Sequence, residues 1–205
     1  NTAVGSGALD ANTSGTGNVG IGLNALGHAS TSSNTEAFGN GAGDAITTAG
    51  NQNVLIGTDA GGLLSSGDDN VAIGYQALDA PTTQGQNIAI GSAALGGASY
   101  AAAANVAIGY QAMDAATSGA RNTAVGWTAL SAIVTGGDST AVGYNALALD
   151  TGGSNTAVGS GALDANTTGI GNTAVGYESL SDISTTNYST AVGYQTLTKD
   201  TAGSN

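Results

Sequence analysis

Carboxylates are the first residues in this chain that could do chemistry. Asp10, Asp79, Asp114 and Asp164 fall at one equivalent place in a repeated sequence, and Asp68-Asp69-Asn70 is the densest acidic spot. Ca²⁺ takes oxygen ligands, which the recurring Asp could offer from neighbouring coils; Asp68 and Asp69, at the densest acidic spot, are the weak calcium candidates. Fewer than half of the repeats carry the recurring Asp, and the Gly-rich nonapeptide of calcium rolls is missing. A solvated acidic turn and no cofactor are therefore expected. His28 is the single histidine, and neither a His-based triad nor a repeated metal site can be built on it. It is expected in a turn. The recurring Val-Gly invites comparison with left-handed β-helix acyltransferases, but those need an apolar residue every six positions, and here it comes about once in 17. The chain is not expected to be an enzyme.

Two further columns could bind rather than react. Tyr75, Tyr110, Trp127, Tyr144, Tyr177 and Tyr194 recur at one repeat position. Exposed rings in a row offer a glycan or a cell-surface receptor a stacking surface, although rings that merely cover a glycine bend are the simpler expectation. Thr2, Thr123, Thr140, Thr156, Thr173 and Thr190 also align, as in the flat threonine arrays of ice-binding solenoids. Val or Ile fills the same slot in the second and the fourth to seventh repeats, which marks a half-buried position rather than an ice-binding face.

The element that positions these residues is the repeat itself. Asn70-Val71-Ala72-Ile73-Gly74-Tyr75-Gln76-Ala77-Leu78 returns as Asn122-Thr123-Ala124-Val125-Gly126-Trp127-Thr128-Ala129-Leu130, and ten more times in looser form. The fixed glycine falls at 5, 22, 39, 57, 74, 91, 109, 126, 143, 159, 176 and 193, a mean spacing of about 17. Tandem units of that length are the signature of a stacked array, and they override any domain count drawn from length. Residues 1–205 read as a single array. Neither end turns polar like a cap, and Gly203-Ser204-Asn205 begins to enter another repeat, so a segment of a longer fibre, or subunits joined end to end, is expected.

Numbering each repeat from its Asn, positions 1 to 9 hold the conserved core and a variable polar tract follows, such as 79–86. Within the core, β-branched residues flank Ala and precede Gly, which predicts a short strand, a glycine bend, a second short strand and a turn. A helix is a poor alternative, because the run is short, has Gly at its centre and lacks a 3.6-residue apolar period. Stacked in register, each residue meets its own kind. Position 1 is then expected to form an internal amide ladder, and the glycine to mark a close approach or a special backbone angle. Adjacent residues of a strand face opposite ways. With Val/Ile of position 4 taken as pointing into the coil, Ala of position 3 points out. A column of bare methyl groups on an outer face implies a partner chain packed over it. The third and fourth repeats, at Asn40-Gly41-Ala42-Gly43 and Thr58-Asp59-Ala60-Gly61-Gly62, are the most degenerate, and local irregularity is expected there.

Composition narrows the partners. Fourteen carboxylates against Arg121 and Lys199 give a formal charge of −12, which repels nucleic acid and anionic membranes. No apolar run approaches the length of a membrane span. Cysteine is absent, so neither disulfides nor thiolate metal sites enter. Charged residues are only 8% of the chain and apolar positions recur, which is unlike a disordered segment.

At its Asn/Ser-x-Ala-Val/Ile-Gly core the chain resembles the head repeats of trimeric autotransporter adhesins, and the longer Asn-Thr-Ala-Val-Gly-Tyr-x-Ala-Leu form is similar to repeats in bacteriophage tail fibres. The resemblance spans all twelve repeats. It implies an all-β parallel solenoid, or β-roll, of about twelve 17-residue coils, left-handed and homotrimeric, serving as the shaft of a fibre that is extracellular, at the cell surface or on a virion. An adhesive head binding a glycan or receptor is the alternative it implies. The repeat here is longer than in adhesin heads, and Leu follows the second Ala.

Overall fold

A computed structural model describes residues 1–47, 50–80, 83, 85–97 and 103–199. Pro81, Thr82 and Gln84 of the polar tract, and the terminal Gly203-Ser204-Asn205, lie outside them. The chain falls into two compact units, Asn1–Ala104 and Asn105–Asn205. The N-terminal unit carries β1 (Thr2–Val4), β2 (Val19–Ile21), β3 (Glu36–Phe38), β4 (Val54–Ile56), β5 (Val71–Ile73) and β6 (Ile88–Ile90). Within it each strand pairs in parallel with the next, Thr2 opposite Val19 and Val71 opposite Ile88. The C-terminal unit carries β7 (Val106–Ile108), β8 (Thr123–Val125), β9 (Thr140–Val142), β10 (Thr156–Val158), β11 (Thr173–Val175) and β12 (Thr190–Val192), paired in the same way. Each unit is thus a parallel β-solenoid of about 17 residues per coil, with no helix among the described residues.

Three residues suffice for each strand because its ends are fixed. The β-branched residues at positions 2 and 4 favour extended backbone. Gly at position 5 then turns the chain with φ near +130°, as at Gly57. Ladder bonds from one coil to the next continue past the strand: Gly74 N donates to Ile56 O, Gln76 N to Thr58 O, and Leu78 N to Ala94 O, at 2.8–3.0 Å. A column of hydroxyls adds to them at position 13, where Thr13, Ser30, Thr117, Thr151 and Thr167 each donate to a carbonyl of the following coil.

Two expectations are corrected here. The alanines of position 3 point into the coil and are fully buried by their own chain, as Ala72, Ala107, Ala124 and Ala157 show. Positions 2 and 4, Ile73 and Val125 among them, face outward and are half-buried or exposed. The cause is the narrowness of the coil. Gly20 stands at position 3, and a methyl built on it would already lie 2.9 Å from the Ala25 carbonyl across the coil and 3.3 Å from Leu9. Only a small side chain fits. The second correction concerns positions 6 to 9, which form turns rather than a second strand. Positions 7 and 9 hold left-handed backbone, Gln76 at φ 52° and Leu78 at 51°, so the Ala-Leu pair never becomes pleated.

The core of each unit is accordingly a stack of thin layers: Ala at 3, Ala at 8, Leu or Met at 9, and position 12. Position 12 is buried as Ala29, Ile46, Leu64, Ala116, Ile133, Asp150, Asn166 and Ile183. Its residue type varies too much to stand out in the repeat. The degenerate third and fourth repeats obey the same packing. Leu55 replaces Ala at position 3, and Gly43 and Gly61 replace Leu at position 9. A methyl on Gly61 would meet Leu55 Cδ2 at 2.8 Å, and one on Gly43 would meet Leu55 Cδ1 at 2.7 Å. Leu55 fills the space that two missing leucines leave.

That exchange is testable. Gly61→Leu alone is expected to cost about 1–3 kcal/mol by overpacking, and Leu55→Ala alone about 2–5 kcal/mol through the cavity. The double variant restores the usual pairing and should recover about 0.5–3 kcal/mol of the summed loss. Urea denaturation of the four proteins measures it, and additive losses would contradict the exchange.

Candidate functional site

The most completely built feature of the fold is the buried asparagine column at position 1. Asn70 sits at the entry of its coil, fully buried, with Asn53 and Asn87 in the coils on either side. Asn53 Oδ1 accepts from Asn70 N at 2.9 Å, and Asn70 Oδ1 accepts from Asn87 N at 3.0 Å. In the C-terminal unit Asn105, Asn122, Asn155 and Asn172 repeat the pattern. Each amide also closes its own coil, Nδ2 of Asn53, Asn122 and Asn172 donating to Gly67 O, Gly136 O and Thr186 O. One side chain thus ties the strand of its coil to that coil's last turn and to the next coil. Around it, Ala72, Ala77 and Leu78, like Ala124, Ala129 and Leu130, are fully buried, while Gly74 and Gly126 hold the bend.

The aromatic column lies outside this core. Tyr75, Trp127, Tyr144 and Tyr194 are 55%, 54%, 57% and 71% exposed, with Tyr110 and Tyr177 somewhat less so. The rings pair across coils: Tyr110 and Trp127 have centroids 4.4 Å apart, and Tyr177 and Tyr194 stack at 5.2 Å with planes 12° apart. Paired rings cover part of one another's faces.

The carboxylates gather along a different flank. Asp164, Glu178 and Asp182 line a groove of about 590 Å³ with Ser181, Gln195 and Thr198. Asp44, Asp59 and Asp79 line one of about 230 Å³. Asp68 and Asp69 border a third of about 290 Å³, but Asp68 Oδ1 is engaged by Asn51, through its backbone N at 2.7 Å and Nδ2 at 3.3 Å. Asp68 is therefore a cap on the neighbouring coil. Among the described residues no three His, Cys, Asp or Glu side chains are grouped to hold a metal ion. Exposed His28 lies in a turn and sets Nδ1 3.0 Å from Asp44 Oδ1; hydrogen bonds to the Asp44 carbonyl and carboxylate raise its pKa.

Several carboxyls are pushed above the usual aspartate range, each first by desolvation: Asp79 with added repulsion from Asp59, Asp114, Asp150, and Asp164 with smaller additions from Asp182 and Glu178. Such groups hold protons more tightly folded than unfolded. Their contribution to stability is therefore fully present below the ordinary aspartate value and is lost as pH rises through the raised values. Asp138, beside Arg121, and Glu178, bonded by Tyr177 and Gln195, shift the other way, but both lie at the surface, where solvent screens them. The melting temperature is expected to fall as pH rises from the ordinary aspartate value through the raised ones; a rise over that range by circular dichroism would contradict this balance.

No helix in the described residues is long and apolar enough to cross a membrane. No protein-family model, curated protein or solved structure matches the chain.

Proposed function

We propose that this chain is a structural segment of an extracellular or virion-surface fibre, three copies packing through the outward strand face to form a shaft. One observation carries the reading. Positions 2 and 4 present Val, Ile, Thr and Phe38 on coil after coil, position 6 adds Leu23 and the Tyr and Trp rings between Ser, Asn and Thr, and Glu36 is the only charged residue among them. Val4, Ile56, Val158 and Val192 stand exposed on that face. A repeated apolar surface of this kind on a soluble chain marks an interaction site. Apart from Glu36 the chain's charged residues sit elsewhere, so copies that repel one another overall can meet along this side. The buried alanines take no part in this contact. The number three follows the adhesin and tail-fibre resemblance of the repeat.

An adhesive head is the second reading, resting on the exposed rings of Tyr75, Trp127 and Tyr144. The pairing of Tyr110 with Trp127 and of Tyr177 with Tyr194 favours their role as cover for the glycine bend.

Light scattering coupled to gel filtration tests the shaft. The expected mass is three times the 19.4 kDa of one chain. A monodisperse single-chain species would overturn the proposal.

A further inference from the structure

Among the described buried residues of position 12, most of them hydrocarbon, one side chain is titratable. Asp150 occupies position 12 and is fully buried, in a column that holds Ile133 in the preceding coil and Ile183 two coils on. Its carboxyl is surrounded by donors: Asn166 Nδ2 at 2.8 Å, Gly152 N at 3.0 Å, and Asn155 Nδ2 at 3.2 Å to each oxygen. Both amides spend their remaining proton on one carbonyl, Gly169 O, at 2.7 Å from Asn155 and 3.0 Å from Asn166. Asn155 Oδ1 accepts from Asn172 N. Every polar atom of the Asp150, Asn155 and Asn166 side chains then has a partner except Asn166 Oδ1, which is buried and has none.

We propose that Asp150, Asn155 and Asn166 form a proton-operated latch in the core of the C-terminal unit, tight when Asp150 is neutral and loosened when it ionises. The cluster lacks one donor, and the proton of a neutral carboxyl is a donor. An ionised Asp150 instead places a charge in a closed layer, with Ile133 in the coil before it, Asn166 in the coil after it and no cation beside it. The charged groups of the neighbouring coils point elsewhere: Arg121 and Asp138 pair with each other in solvent, and Asp164 and Asp182 line the outer groove. No charged side chain contributes to the proton affinity of Asp150. Burial raises it, against hydrogen bonds from Gly152, Asn155, Gly153 and Asn166. The latch therefore closes as pH falls and opens as pH rises through the raised value. It does not depend on the fibre reading.

Two measurements on the intact chain test it. Carboxyl-carbon NMR of the wild-type protein should show Asp150 titrating above the ordinary aspartate value. Hydrogen exchange, corrected for the intrinsic pH dependence, should show amides of 150–155 and 166–172 losing protection as pH rises. The loss is about tenfold for each unit by which the folded pKa exceeds the unfolded one. Asp150→Ile, which restores the residue type of Ile133 and Ile183, should abolish that dependence while Asn155 and Asn166 keep Gly169 O as acceptor. An Asp150 carboxyl that titrates at or below the ordinary value, or an unchanged pH dependence in Asp150→Ile, would overturn the latch.

Discussion

Gly74→Ala is expected to destabilise the N-terminal unit by about 2–6 kcal/mol, the joint range of backbone strain and overpacking. Two causes act together. Gly74 has φ +136°, outside what residues with a Cβ readily adopt. A methyl there would also stand 2.6 Å from Gly91 O and 2.7 Å from Gly91 C, both backbone atoms of the next coil. Backbone held in a ladder cannot step aside as a flexible side chain would. To admit the methyl the two coils must separate, which weakens the adjacent bonds from Gly91 N to Ile73 O and from Ala93 N to Tyr75 O. Gly96→Ala is the control, because its φ is not left-handed and its closest neighbour, Ala93 O, would be 3.2 Å away. Urea denaturation compares the two, and a Gly74 variant no less stable than the Gly96 variant would contradict this account of the glycine column.

Asn122→Ala is expected to cost the C-terminal unit about 2–5 kcal/mol, because two buried backbone groups lose their partners at once. Ser139 N loses the Asn122 Oδ1 acceptor at 2.8 Å, and Gly136 O loses the Nδ2 donor at 3.0 Å. Water cannot replace either in a layer this closely packed. Asn122→Ser should cost clearly less. Serine already serves at this position in Ser139, whose Oγ accepts from Asn155 N at 3.2 Å, so the bond to the following coil is kept and only the bond within the coil is lost. Equal losses for the two variants would show that the link between coils is not what the asparagine supplies.

The spacing of the glycines and asparagines made the parallel, in-register stack legible, because identical residues at a fixed interval can satisfy one another only by stacking. The inward direction of the strand was not legible in the same way. Both of its faces are apolar, so parity does not choose between Ala124 and Val125, and the usual preference for burying the larger side chain points to Val125. The choice is made by the opposite wall, where Ala129 and Leu130 of the same repeat fill the coil and leave room for a methyl group. The turns at positions 7 and 9 were masked for a related reason. Leucine in left-handed backbone is uncommon, costing roughly 1–2 kcal/mol, and a buried Leu78 or Leu130 reads as a strand residue. A signal was present nonetheless: Gly7, Asn24, Gly41, Asp59, Asn145 and Gly161 share position 7, and all are residue types that accept positive φ. Asp150 was hidden by the variability of position 12, which shows its burial only once the coil is closed.

The outward column as a contact between chains can be tested directly, because the protein has no cysteine of its own. Val142→Cys and Ala141→Cys are adjacent substitutions that face opposite ways. Under mild oxidation Val142→Cys should yield disulfide-linked chains on a non-reducing gel, and Ala141→Cys, enclosed in its own coil, should not. A Val142→Cys protein that stays single-chain and reacts freely with maleimide in its native state would contradict the packing of copies through this face.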